Sequence, residues 1–420
     1  MQTSRTRMRV ASHTGKALEA ARWSVALTMV ALLFSPPLTT LAEVALVACF
    51  VVAADLRARL LAALRQPLVR AGLALYALIS IGTLYSIVPW HDSLSMWWSW
   101  RKLLLLPLAA AVFDDTQWKR RLAWILIAVA TLCALVSYLS LIMNLNIYKY
   151  RPGITIRSHA TQGMIFAVAA FTAAVLWRSA ADLKVFQRRF LEMSFVLLVA
   201  NIVYVTKGRS GYLVLMVLCA TFSMFLVRGP ARYARVVLVP ALAAVLLATS
   251  PVALQRVTKA LHEIRNYDQS LELTSMGRRV VMWENTLDLI GERPWFGCGT
   301  GGFEQAYRHE VVGVSGWQGL VASDPHNQFL NITAEYGLFG LAVFLAFILF
   351  AFRQKASLPY RILGLGVLVS WCATSLFSSH FSTFSEGRFL ALWCGAMLAL
   401  ESGDSTRRIN PSMGGVPRLT

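Results

Sequence analysis

His326 is the residue of this chain best placed for acid–base chemistry, in the run Ser323-Asp324-Pro325-His326-Asn327-Gln328-Phe329-Leu330. Asp324 reads as a helix N-cap and Pro325 as the first helical residue, where a missing N–H costs nothing. His326 is then expected in the first turn, beside unpaired backbone N–H groups and the positive end of the helix dipole. A cation is disfavoured there, so the imidazole should stay neutral and able to accept a proton. The same N–H groups can hold a phosphate, with the Asn327 side chain next to them. A base beside an anion site points to chemistry on a phosphorylated lipid.

The second set of chemical residues is basic. Lys207-Gly208-Arg209-Ser210-Gly211 is a very short turn between two apolar runs and contains no acid. A cation pair at that depth is costly unless something anionic meets it. Arg278 and Arg279 start a further helix, at the end where a cation is unfavourable. Arg151 and Arg157 lie in a loop over about 145–160, and Arg388 follows Glu386 near the last apolar run. Fork-shaped donors that converge near a membrane surface suit a diphosphate. The competing role is pairing with carboxylates, of which the segment 251–335 carries ten of the chain's 21. His309 and His380 also face outward, with no comparable capping signal around them.

The elements that must position these residues are membrane helices. The chain of 420 residues is 57% hydrophobic, with a mean hydropathy of +0.56. About twelve apolar runs recur, near 22–36, 38–54, 71–88, 103–113, 122–144, 160–177, 191–206, 211–227, 236–250, 336–352, 362–377 and 389–400. The first is preceded by Arg5, Arg7, Arg9, Lys16 and Arg22 and lacks a small-residue cleavage site, so it reads as a retained helix. The expected fold class is an all-α polytopic membrane protein of about 12 transmembrane helices, with a long helical loop between spans 9 and 10. Its parts are a cytoplasmic segment 1–21, a bundle 22–250, an outward helical loop 251–335 carrying the chemical residues, a bundle 336–402 and a cytoplasmic tail 403–420 expected to be disordered. Within the loop, Val252, Leu254, Val257, Leu261 and Ile264 form a helical stripe. Further helices are expected over 277–290 and 302–310, with a turn at 293–297.

The net charge of +19 follows the alternate loops that this topology puts inside, with both termini. That explains much of the charge without a nucleic-acid partner. Five of six cysteines lie in apolar runs, which leaves Cys298 alone in the long loop and no disulfide framework. No CxxC or HExxH occurs and the histidines are scattered, so no metal and no cofactor is expected. Gly297-Cys298-Gly299-Thr300-Gly301-Gly302 lacks the Lys-Ser/Thr of a phosphate loop and reads as a tight turn. Trp97-Trp98-Ser99-Trp100 fits an interfacial aromatic belt, with a saccharide platform as the second reading.

At Thr206-Lys207-Gly208-Arg209-Ser210-Gly211, Gly277-Arg278-Arg279-Val280-Val281-Met282-Trp283, Arg293-Pro294-Trp295-Phe296-Gly297-Cys298-Gly299 and Pro325-His326-Asn327-Gln328-Phe329-Leu330, the chain resembles the O-antigen ligase family of the Gram-negative inner membrane. Ala334-Glu335-Tyr336-Gly337-Leu338-Phe339-Gly340 continues the resemblance, which covers roughly 200–340. The family's pattern has an arginine four positions before Trp283, which selects Arg279, with Arg278 as near neighbour. Its first motif often reads Ser-Arg where this chain has Gly208-Arg209.

The resemblance implies transfer of an undecaprenyl-diphosphate-linked polysaccharide to a sugar hydroxyl of lipid A-core, in a metal-independent, inverting displacement at the periplasmic face. It implies His326 as general base, with Arg209 and Arg279 as catalytic diphosphate ligands aided by Arg278, Lys207, Arg157 and Asn327. The nearest alternative is an O-antigen polymerase, or another bacterial polysaccharide ligase using the same donor. Such polymerases often carry an arginine and a glycine with ten residues between, and Arg308 and Gly319 fit that spacing. From a different class, a lipid-linked sugar transporter or flippase would show repeats and charged, broken helices near the midplane.

Overall fold

A computed structural model describes residues 2–147, 152–226, 232–265 and 274–401. The helices are α1 (Gln2–Phe34), α2 (Pro36–Val52), α3 (Ala54–Ala63), α4 (Pro67–Gly82), α5 (Trp90–Ser99), α6 (Leu105–Val112), α7 (Thr116–Ile142), α8 (His159–Ser179) and α9 (Val185–Tyr204). They continue as α10 (Arg209–Leu226), α11 (Arg232–Ala248), α12 (Pro251–Arg265), α13 (Ser275–Glu292), α14 (Phe303–Glu310), α15 (Gln328–Arg353), α16 (Leu358–Thr374) and α17 (Phe384–Met397). No strand occurs among the described residues. The expected tail 403–420 and Arg151 lie outside them.

Each of the twelve apolar runs is centred on a helix, and the all-α polytopic reading stands. Among the described residues, four helices are long and apolar enough to cross a bilayer: residues 15–34 of α1, then α7, α8 and α15. A fifth results if α2 and α3, bent by 102° at their junction, count as one span. The helices α4, α10, α11 and α16 are apolar but shorter. At about 1.5 Å per residue α6 is roughly 12 Å long, well short of a bilayer core of about 30 Å.

Small residues set the packing around α8, which is buried along most of its length. Gly163 of α8 meets Gly211 of α10 so closely that a Cβ on Gly211 would lie 2.7 Å from the Gly163 Cα. A Cβ on Gly208 would lie 2.7 Å from the His159 carbonyl oxygen. That contact accounts for glycine in the Gly208-Arg209 pair, and it fixes the start of α10 against the start of α8. In the same bundle, Trp371, Phe389 and Trp393 stack with successive centroid distances of 5.7 Å and join α16 to α17.

α12, α13 and α14 form a polar cap, with α13 running two residues further at each end than expected. Thr274 caps α13 by accepting the Gly277 N–H at 3.1 Å. The cap meets the bundle where α15 breaks. Gly337 has φ +66° and ψ −167°, a conformation open to glycine. There the Leu338 N–H donates to the Pro294 carbonyl at 2.7 Å, while Cys298 and Gly299 donate to the carbonyls of Ala334 and Glu335 at 3.0 and 2.8 Å. Gly301 also donates to Glu335 Oε1 at 3.1 Å. The glycine-rich stretch 297–302 is therefore a docking turn whose backbone groups are already engaged.

Candidate functional site

The loop before α15 departs from its expected geometry. Asn327, not Asp324, caps the helix: its Oδ1 accepts the N–H groups of Phe329 and Leu330 at 3.0 and 3.2 Å. His326 precedes that cap with φ +53°, so neither it nor Pro325 belongs to the first turn. Asp324 Oδ1 instead accepts the His326 backbone N–H at 2.5 Å and the Ser379 hydroxyl at 2.7 Å. The indole Nε1 of Trp283, on α13, donates to the Pro325 carbonyl at 3.0 Å. A left-handed residue other than glycine costs on the order of 1–2 kcal/mol. Bonds from α13 and from the loop after α16 hold His326 in that state.

The imidazole is half exposed, and its Nδ1 lies 3.8 Å from Asp324 Oδ1. Partial burial pushes its pKa below the ordinary value of 6.5; Asp324 opposes that shift, while Arg279 and Arg278 add to it. Burial and two guanidinium groups, in place of the helix dipole, push the ring toward its neutral form.

Arg279 rises from α13 and Arg209 opens α10. Burial lowers the Arg279 pKa most; the Arg209 charge lowers it further, and Glu263 partly offsets both. Arg279 Nε and Arg209 Nη1 are buried without a hydrogen-bond partner among the described residues. Arg279 Nη1 reaches only the Met276 sulfur, at 3.4 Å. Buried polar atoms are nearly always satisfied, and the cost of leaving one unmade is largest for a charged group. Two such cations within reach of one another, with no ion pair to the cap's carboxylates among the described residues, offer donors that an anion would satisfy.

The structure thus links Arg209 to Arg279, and Arg279 to His326, by mutual electrostatic influence. Arg278 is felt at both Tyr307 and His326, so it stands on the same side of α13 less centrally. Lys207 donates its backbone N–H to His159 Nδ1 at 3.2 Å, which places it in the turn before Arg209. Arg157, two residues before His159, has partners of its own. Its Nη1 donates to Ser385 Oγ at 3.1 Å and its guanidinium covers the Phe384 ring at 4.9 Å, beside Arg388, which pairs with Glu43 at 2.6 Å. Asn327 spends its side-chain oxygen on the cap.

Three further residues near Asp324 were given no role by the sequence. His380, Gln328 and Ser375 are buried, and each has an unpartnered polar atom. Tertiary packing brings Ser375 and His380 to this segment, whereas Gln328 lies four residues after Asp324.

Residues 193–345 match the family model described as O-antigen ligase, a stretch that includes Arg209, Arg279 and His326. No curated protein matches the chain.

Proposed function

We propose that this chain, whose residues 193–345 belong to the O-antigen ligase family, transfers an undecaprenyl-diphosphate-linked O-antigen polysaccharide to a sugar hydroxyl of lipid A-core. In this reading the chain is a multi-pass inner-membrane protein of about twelve spans with its site at the periplasmic face. The observation that carries the proposal is that Arg209 and Arg279 each keep one buried guanidinium nitrogen without a partner among the described residues, beside a His326 ring whose pKa burial lowers.

The chemistry asks for those groups and little else. His326 takes the proton of the acceptor hydroxyl as its oxygen bonds to the anomeric carbon. The bond from that carbon to the diphosphate oxygen breaks on the opposite face, which inverts the centre. The leaving oxygen keeps the electron pair, and Arg209 and Arg279 meet the charge, with Arg278 and Lys207 beside them. His326 then returns its proton to solvent. The step is proposed as metal-independent, since a diphosphate already leaves well once its charge is matched.

The family covers ligases and polymerases, and Arg308 is the residue that a polymerase reading would use. It lies exposed in an i,i+4 pair with Glu304 at 3.0 Å, unlike the two arginines that keep unpartnered nitrogens. That favours the ligase. Purified protein in lipid, given lipid-linked polymer and lipid A-core, should yield polymer-bearing core by mass. A lengthened lipid-linked glycan with unmodified core would mean a polymerase, and movement of intact donor across the bilayer without product would mean a transporter.

A further inference from the structure

We propose that His380, Gln328 and Ser375 form a second binding site beside His326, one that takes a sugar hydroxyl of the saccharides being joined. The inference rests on the transferase reading and deepens it.

All three side chains are withdrawn from solvent, with exposures of 5%, 0% and 0%. Both ring nitrogens of His380, the Gln328 amide nitrogen and the Ser375 hydroxyl have no hydrogen-bond partner among the described residues. They belong to one neighbourhood. The Gln328 N–H donates to the Ser375 carbonyl at 2.8 Å, and Gln328 Oε1 accepts from Ser382 N and Oγ at 3.2 and 3.1 Å. Thr383 Oγ1 donates to the His380 carbonyl at 3.0 Å, and the preceding residue, Ser379, holds the Asp324 carboxylate. The buried ammonium of Lys102 donates to the carbonyls of Ser382 and Thr383 and so pins the segment from a third side.

A protein that held this segment only for shape would not leave four polar atoms unmet there. The missing partner is polar and uncharged. The ionisable groups that act on the His380 ring are Glu386, Asp324, Arg279 and His326, two carboxylates against one guanidinium and a neutral imidazole. Burial pushes the His380 pKa down, which favours the ring form with one N–H and one lone pair. A diphosphate offers acceptors only and has its cations on α10 and α13. A sugar hydroxyl both donates and accepts, which matches an imidazole, an amide N–H₂ and a serine hydroxyl together.

Ser375→Ala and His380→Phe test this, with KM measured separately for the lipid A-core acceptor and the lipid-linked donor. Each removes unpartnered polar atoms and retains bulk, so unfolding temperature should hold or rise. The KM of one saccharide should rise by about tenfold with kcat little changed, as for one lost hydrogen bond in a dry site. A rise for the acceptor assigns the hydroxyl to the core, and a rise for the donor assigns it to the polymer. Unchanged KM for both substrates in both variants overturns the proposal and leaves these atoms to water. If His380→Phe does not insert, Ser375→Ala alone decides. Absence of product with the wild-type protein overturns the transferase reading and this inference with it.

Discussion

Asp324 holds His326 through the backbone and leaves the ring free: its Oδ1 accepts the His326 N–H at 2.5 Å and stands 3.8 Å from Nδ1. The carboxylate therefore biases the imidazole without occupying it. An acceptor hydroxyl can approach a nitrogen whose orientation the loop has already set.

That arrangement has a pH consequence with a definite sign. His326 must be neutral to accept a proton, and its pKa in the folded protein lies below 6.5. Transfer should be level above that pH and fall as the pH drops through the lowered value. Asp324→Asn keeps an acceptor for the His326 N–H and the Ser379 hydroxyl but removes the charge that opposes the shift. Its acid limb in a kcat/KM–pH profile should move to lower pH; a limb that moves upward would contradict the assignment.

The two arginines should trade stability for binding. Arg209→Gln and Arg279→Gln each remove one of two neighbouring like charges. The ligand-free protein should melt no lower than wild type, while transfer falls by about 10²–10³-fold, as when a charge-stabilising donor is lost. Stabilisation of the wild type by inorganic pyrophosphate should be weakened in both variants. Thermal melting with and without pyrophosphate checks it.

Gly208→Ser tests why this chain departs from the Ser-Arg form of its motif. A Cβ there meets the His159 carbonyl oxygen at 2.7 Å, so α10 must shift away from α8. Crowding of this kind costs about 1–3 kcal/mol. A lowered melting temperature is expected, along with reduced transfer because Arg209 opens the displaced helix.

Asn327 separates capping from ligand binding. Asn327→Ala should destabilise the start of α15 by about 0.5–2 kcal/mol. Asn327→Asp keeps the capping oxygen and should restore stability. If Asn327→Asp also retains transfer, Asn327 is a positioning residue; a loss of transfer in a stable Asp variant would make it a diphosphate ligand.

Sequence alone made the helices and the break points legible. Long apolar runs leave the backbone no other way to satisfy its polar groups, and the 293–297 turn announces itself locally. The start of α15 was misread because Asp324-Pro325 and Asn327 both carry capping chemistry. Trp283 and Ser379, 41 residues before and 55 after Asp324, decide between them. Arg209 stands out because its short turn contains no acid, and Arg279 because it lies four positions before Trp283 in the family's pattern. Arg157 looked equivalent in sequence, yet Ser385 and Phe384 engage it. His380 faces outward in sequence without a capping signal, and its place beside Asp324 comes from packing across 56 residues.

The most direct test compares wild type with His326→Ala in lipid, using purified lipid-linked polymer and lipid A-core and reading polymer-bearing core by mass. The account predicts that the variant still inserts and is still stabilised by pyrophosphate, while transfer falls by about 10²–10⁴-fold. Transfer at the wild-type rate in His326→Ala would contradict it.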